Sequence, residues 1–284
     1  MSKAINILIV VILISAIAML LYPTISDQYS QFLNNRRILS YNREVAKVDP
    51  EDNREMLEAA MAYNESLREI EIRDAFDAVA QESSPEYRAL LNPAGDGVMG
   101  IIEIPKIGVR LPIYHSTDDD GLTKGAGHME GTSLPVGGEN THCGIAGHRG
   151  LPSAKLFSDL DQMESGDVIY MNVLGELLVY QVDQISVVLP HELDYMSIIE
   201  GGDYLTLVTC TPYGVNSHRL LVRGKRARLE DLMDTLALAD GVEKTADWHG
   251  ALVCAAPVAA VGLLMMLLIR PKRKYGLKKS GKMT

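Results

Sequence analysis

Between Met99 and Arg226 the chain is a succession of short β-rich runs broken by turn residues: Met99–Ile104, Arg110–His115, Cys143–Gly147, Asp167–Val173, Leu177–Leu189, Tyr204–Thr209 and Arg219–Arg223. Seven or eight such runs within about 130 residues leave little room for helices and predict a mainly β fold, a closed or nearly closed barrel of about eight strands. The last two runs carry the most chemistry. Thr206 to Arg226 joins an apolar, β-branched stretch ending in Cys210 to a second stretch opening with Arg219, through a Pro-Tyr-Gly turn. That arrangement sets a thiol and a guanidinium at one rim of a sheet.

The two ends of the chain have a different texture. Ala4 to Tyr22 and His249 to Ile269 carry no Asp, Glu, Lys or Arg. At ~1.5 Å per residue each run can cross a hydrocarbon core of ~30 Å, so both read as transmembrane helices. Residues 1–23 are therefore a transmembrane anchor or a signal sequence; the length of the run, with no small-x-small cleavage site before Pro23, favours the anchor. After the second span, residues 270–284 hold seven bases and no acid, the mark of a cytoplasmic tail. With Lys3 also inside, both termini are cytoplasmic and the intervening chain is extracellular. Once Lys3 and those seven tail cations are set aside, 19 bases face 37 acids between the spans, a net charge of −18. Such a surface excludes nucleic acid as a partner, because that affinity comes from neutralising phosphates with Lys and Arg.

Residues 24–94 form a polar extension, free of glycine as far as Asn92. Asp49-Pro50-Glu51 is a cap followed by first-turn proline, and Met56, Ala59, Ala60, Tyr63 and Leu67 recur at helical spacing. Helices are expected at about 28–40 and 50–70, with a looser stretch from Asp74 to Pro85. The β-rich domain spans 95–228. Residues 229–248 are a linker, with a short helix expected near 228–247.

The cysteines are Cys143, Cys210 and Cys254, the last inside the second apolar run. Two cysteines in an exported domain do not make a disulfide scaffold. Cys143 and Cys210 could pair, but a free thiol with a partner histidine is the catalytic reading. Thiolate attack needs a base or an electropositive neighbourhood. Of seven histidines, His148 stands out because it follows the small-residue run Cys143-Gly-Ile-Ala-Gly and precedes Arg149-Gly150. His115, His128, His142 and His191 read as structural. His218 competes as a base, but along a strand it faces opposite to Arg219. On spacing alone Arg219 reads more readily as a surface cation capping a strand than as a fixed donor to a developing oxyanion. No His, Cys or Asp group has ligand spacing, so neither a metal nor an organic cofactor is expected.

The motifs TLVTC at 206–210, HRLLVRG at 218–224 and GHRG at 147–150 resemble those of the sortases, membrane-anchored cysteine transpeptidases of Gram-positive bacteria. Longer stretches at 95–115, 127–142, 147–161 and 206–226, with two spans and a helical extension, resemble class C, the pilin-polymerising branch. The resemblance implies that Cys210 is the nucleophile, His148 the general acid/base, and Arg219 the oxyanion or substrate-positioning donor. It implies cleavage of a Leu-Pro-any-Thr-Gly sorting signal between Thr and Gly. The thioacyl intermediate then passes to a lysine amine of another pilin subunit. Class C members carry a lid with an Asp-Pro-aromatic motif; the match here is Asp74-Ala75-Phe76, within a lid segment near 72–84, with alanine replacing the proline. Asp74 is then expected to pair with Arg219 and Phe76 to shield Cys210. Two other readings are a general wall-anchoring sortase using a peptidoglycan cross-bridge amine such as that of lipid II, and a membrane-tethered assembly scaffold with an inert Cys210.

Overall fold

A computed structural model describes residues 3–67, 74–76, 83–192, 194–228 and 230. The linker helix, the second apolar run and the basic tail expected from the sequence lie outside the described residues. At the core are eight strands: β1 (Val98–Ile104), β2 (Val109–Tyr114), β3 (Ala126–His128), β4 (Thr141–Ala146), β5 (Val168–Val173), β6 (Glu176–Val188), β7 (Asp203–Thr211) and β8 (His218–Arg226). They close into a barrel in the order β1-β2-β3-β4-β7-β8-β6-β5. Closure removes exposed sheet edges. Most neighbours are antiparallel, but β2 with β3 and β4 with β7 run parallel.

The predicted runs coincide with seven of the strands to within a few residues. The eighth, β3, is a three-residue strand, too short and too glycine-rich to show a period in the sequence. Its residues are all buried, and Gly127 and His128 pair with Ala146 and Ile145 of β4.

Inside the barrel, Ile102 and Ile104 of β1, Ile145 of β4, Leu205 and Leu207 of β7 and Val222 of β8 join one large apolar cluster. A second, smaller cluster lies on the opposite face of the same wall. Ala146, Val208 and Leu221 from β4, β7 and β8 meet Leu122, Met129, Val188 and Met196 there. β7 is thus buried on both faces from Leu205 to Cys210, as its near-continuous apolar run requires. Its two buried hydroxyls are satisfied: Thr206 Oγ1 lies 2.7 Å from His142 Nε2, and Thr209 Oγ1 donates to Gly147 O at 2.7 Å. Cys143 and Cys210 are free and buried, Cys143 within the barrel's interior cluster. The Cys143–Cys210 pairing left open by the sequence is therefore not formed.

The helical extension corrects one expectation. A separate helix at 28–40 is not present; α1 runs unbroken from Lys3 to Lys47, with Pro23 inside it. Proline removes one donor from the ladder, but no glycine or second proline follows it in the helix, and burial holds the later turns. Asn34, Ile38 and Tyr41 recur at helical spacing and are buried. The first part of α1 is long and apolar enough to cross a membrane. The second helix, α2 (Pro50–Ser66), begins as its cap predicts: Asp49 Oδ1 accepts from Glu51 N at 3.0 Å. Two polar side chains pin these helices to the barrel. Asn64 accepts from Leu134 N at 2.7 Å and donates to Leu134 O at 3.2 Å, as a neighbouring strand would.

Tyr41 does the same for α1. Its hydroxyl donates to Met99 O at 3.0 Å and accepts from Leu174 N at 2.9 Å, and burial pushes the phenol up to about 12. Tyr41→Phe should leave both backbone groups buried without partners and destabilise the fold by about 1–3 kcal/mol, read as a lower Tm in thermal unfolding.

Candidate active site

The site is built by one strand register. In β4 and β7, running parallel, Ala146 lies opposite Val208; in β7 and β8, running antiparallel, Val208 lies opposite Leu221 and Cys210 opposite Arg219. Side chains alternate faces along a strand. Cys210 therefore shares the face of Val208, and Arg219 that of Leu221, outside the barrel and over the smaller apolar cluster.

The β4–β7 ladder continues one residue beyond β4. Gly147 N donates to Val208 O at 3.0 Å, and Gly147 O accepts from Thr209 Oγ1 at 2.7 Å. This brings His148 to the level of Cys210. Neighbouring strands lie ~4.8 Å apart, so this register sets His148, just past the end of β4, level with Cys210 of β7 and Arg219 of β8. Gly147 is required where it stands, because a Cβ there would meet the Phe157 ring at 2.6 Å. His218 does not join the row. It is one position out of phase with Arg219, half-buried, with Nδ1 2.9 Å from Ser217 Oγ.

Three of the histidines that the sequence set aside are occupied elsewhere. His115 ring nitrogens face Gly97 O and Leu90 O at 3.0 and 2.7 Å. His128 lies between Tyr87 Oη and Ser133 O at 2.8 and 2.9 Å, and His142 bridges Ser197 O and Thr206. Among the described residues no group of three or more His, Cys, Asp or Glu is arranged to hold a metal ion.

Arg219 is 7% exposed, and each of its three guanidinium nitrogens is engaged. Nε donates to Asp74 Oδ1 at 2.7 Å and Nη2 to Asp74 Oδ2 at 2.5 Å, a two-pronged charge-assisted pair. Nη1 donates to the carbonyls of Asn216 and His218, each at 3.1 Å. The Phe76 ring lies 5.1 Å from the guanidinium carbon and 5.6 Å from the His148 ring. Ala75 occupies the position where the sequence departs from the Asp-Pro-aromatic pattern. Its methyl is 3% exposed, seated in the apolar cluster beside Ala146, Val208 and Leu221. Packing here holds the backbone that a proline ring would have restricted.

Burial raises the Cys210 thiol above its usual range; the Arg219 cation opposes this, and the Asp74 carboxylate adds to it. Burial lowers the His148 imidazole, with the Asp119 carboxylate opposing. Both shifts favour the neutral thiol and neutral imidazole at rest. Two participants escaped the sequence reading. Asp119, in a short helix (Asp119–Lys124), comes near His148 only through the fold. Arg149 was visible merely as the neighbour of His148.

What such a row can do is nucleophilic acyl chemistry, with the imidazole moving protons and the guanidinium donating to an oxyanion. As it stands the guanidinium is held by Asp74. Asp74→Asn removes the anion that raises the thiol and frees the Arg219 cation that lowers it. The pH midpoint of Cys210 alkylation should fall, with a severalfold faster rate at neutral pH; an unchanged profile would show that Asp74 exerts no control.

The Sortase domain profile matches residues 102–227. Sortase D of Bacillus subtilis strain 168 is 30% identical over 142 residues, which cover 49% of this chain and 69% of that protein. Two solved structures align closely. Sortase C of Streptococcus pneumoniae is 47% identical with a TM-score of 0.65, covering 68% of this chain and 97% of that one. Sortase C1 of Streptococcus agalactiae is 43% identical with a TM-score of 0.63, covering 68% of this chain and 95% of that one. Likeness over nearly the full length of both neighbours, on the same barrel, leaves one reading: the chain belongs to the sortase family of cysteine transpeptidases, with class C sortases as its solved neighbours.

Proposed function

We propose that this sortase builds covalent pili. Cys210 is the nucleophile, His148 the general acid/base and Arg219 the donor that stabilises the oxyanion and positions the substrate. The observation that carries this reading is the single row of imidazole, thiol and guanidinium with Asp74 clamped on the last. Support for the pilin substrate comes from solved neighbours described by their pilin substrate specificity or as pilus-related.

In this mechanism a Leu-Pro-any-Thr-Gly sorting signal enters when the Asp74-Ala75-Phe76 lid withdraws. Asp74 leaves the guanidinium, and its donors become available to the threonine carbonyl oxygen. The Cys210 sulfur attacks the Thr–Gly carbonyl carbon as the thiolate, its proton having passed to His148. The C–N bond breaks as His148 returns that proton to the glycine amine, leaving a thioester. A lysine amine of another pilin subunit then attacks the thioester, His148 accepts the amine's proton, and the C–S bond breaks as Cys210 leaves as the thiolate, which takes that proton back from His148. An isopeptide bond replaces the peptide bond. Exclusion of water from the occupied site favours the amine over hydrolysis.

With the thiol raised and the imidazole lowered, the reactive thiolate–imidazolium form is a minority whose share is constant between the two apparent pKa values. It declines below the imidazole's and above the thiol's, so kcat/KM should trace a bell with a flat top. The apolar part of α1 supports a membrane anchor, and Lys3 before it with the basic tail supports cytoplasmic termini and a barrel on the extracellular face. The second span and tail then return the C-terminus to the cytoplasm.

The full-length protein in membrane vesicles, given a pilin bearing a sorting signal, should produce a ladder that survives boiling in detergent. Cys210→Ala should produce none; ladders from that variant would refute the mechanism. Offered lipid II and pilin lysine together, the enzyme should choose lysine. Preference for lipid II would instead assign it to general wall anchoring.

A further inference from the structure

Arg149, next to His148, is a buried guanidinium that the mechanism does not use. Its side chain is 8% exposed. Nη1 donates to Thr211 Oγ1 at 3.1 Å, Nη2 donates to Asp161 Oδ2 at 2.5 Å, and the Tyr213 ring lies 5.9 Å from the guanidinium carbon. Nε is buried and, among the described residues, finds no acceptor.

As a stabilising device this is a poor one. The partner Asp161 is 50% exposed, so the pair is half in water, while the orphaned Nε carries a desolvation cost that a smaller apolar side chain would avoid. Its geometry serves a different end. Val208 and Thr209, on one side of Cys210, bond to Gly147, on one side of His148. Thr211, on the other side of Cys210, bonds to Arg149, on the other side of His148. The thiol and the imidazole are thus each flanked by residues stapled to the other's strand. The backbone ladder supplies the first staple, but β4 ends at Ala146 and cannot supply the second. Only a side chain long enough to reach across does so. Arginine suits the task because its planar fork bonds Thr211 and Asp161 at once, fixing the side chain in both directions. Gly150, at φ +79°, lets the chain turn beneath Tyr213, where a Cβ would stand 3.2 Å from the ring.

We propose that Arg149 is a positioning residue for the transpeptidation: by bonding Thr211 it locks His148 in register with Cys210. The inference rests on the assignment of Cys210 and His148 above. A loosened imidazole shuttles protons poorly while peptide binding, which depends on other walls, persists.

The test uses the full-length enzyme in detergent and a fluorogenic peptide carrying a Leu-Pro-any-Thr-Gly signal, with kcat, KM and Tm measured for each variant. Arg149→Gln and Thr211→Val should each lower kcat about tenfold while KM stays within about twofold. Thr211→Ser, which keeps the hydroxyl, should recover most of the loss. Unchanged kcat in Arg149→Gln and Thr211→Val would overturn the proposal. So would a loss of kcat that merely follows a loss of Tm and is as large in Thr211→Ser as in Thr211→Val. Turnover by Cys210→Ala would overturn the nucleophile assignment itself, and the positioning role with it.

Discussion

The parallel pairing of β4 with β7 is the interaction on which the rest of the site depends. It sets Ala146 opposite Val208, and the ladder carried on by Gly147 delivers His148 beside Cys210. A shift of one residue would move every β4 side chain to the other face and turn the imidazole into the barrel. The register is held by burial on both sides: Ile145 and Leu207 belong to the interior cluster, Ala146 and Val208 to the outer one. No slipped pairing could satisfy both faces at once.

The outer cluster has a second consequence. Because β4, β7 and β8 present an apolar patch outside the barrel, a segment distant in sequence can dock there without a strand of its own. Ala75 does so by burying its methyl, and this seats Asp74 on Arg219 and Phe76 against His148. Apolar packing and a two-pronged ion pair thus act on one short tripeptide. Asp74 and Arg219 are 145 residues apart, and holding such a contact needs both.

Much of the barrel was legible in the residues. Runs such as Leu177–Leu189 and Tyr204–Thr209 are β-branched, apolar and bounded by turns, and they became β6 and β7 with small changes at their ends. What failed did so for identifiable reasons. β3 has three residues and a central glycine, so no alternation exists to be seen. Pro23 is a strong local signal for an interruption, yet burial of Ile38 and Tyr41 and the absence of further breakers carry α1 through to Lys47. In the site, the thiol and the guanidinium were visible because a short turn joins their strands. His148 was favoured over its neighbours only by its small-residue approach, and the pairing of Asp74 with Arg219 was reached only through family resemblance.

The sequence by itself determined the strand-rich domain, the apolar helix before it, and the single sheet rim at which Cys210 and Arg219 would lie, since those follow from strand-like runs and local turn chemistry. The tertiary structure decided which strand lies beside which. Alternation assigns a side chain to a face but is silent about its neighbour across the sheet, and the β4–β7 pair joins segments some sixty residues apart. The choice of His148 over His218, the seat of Ala75 in the outer cluster, and the reach of Arg149 to Thr211 all depend on that closure.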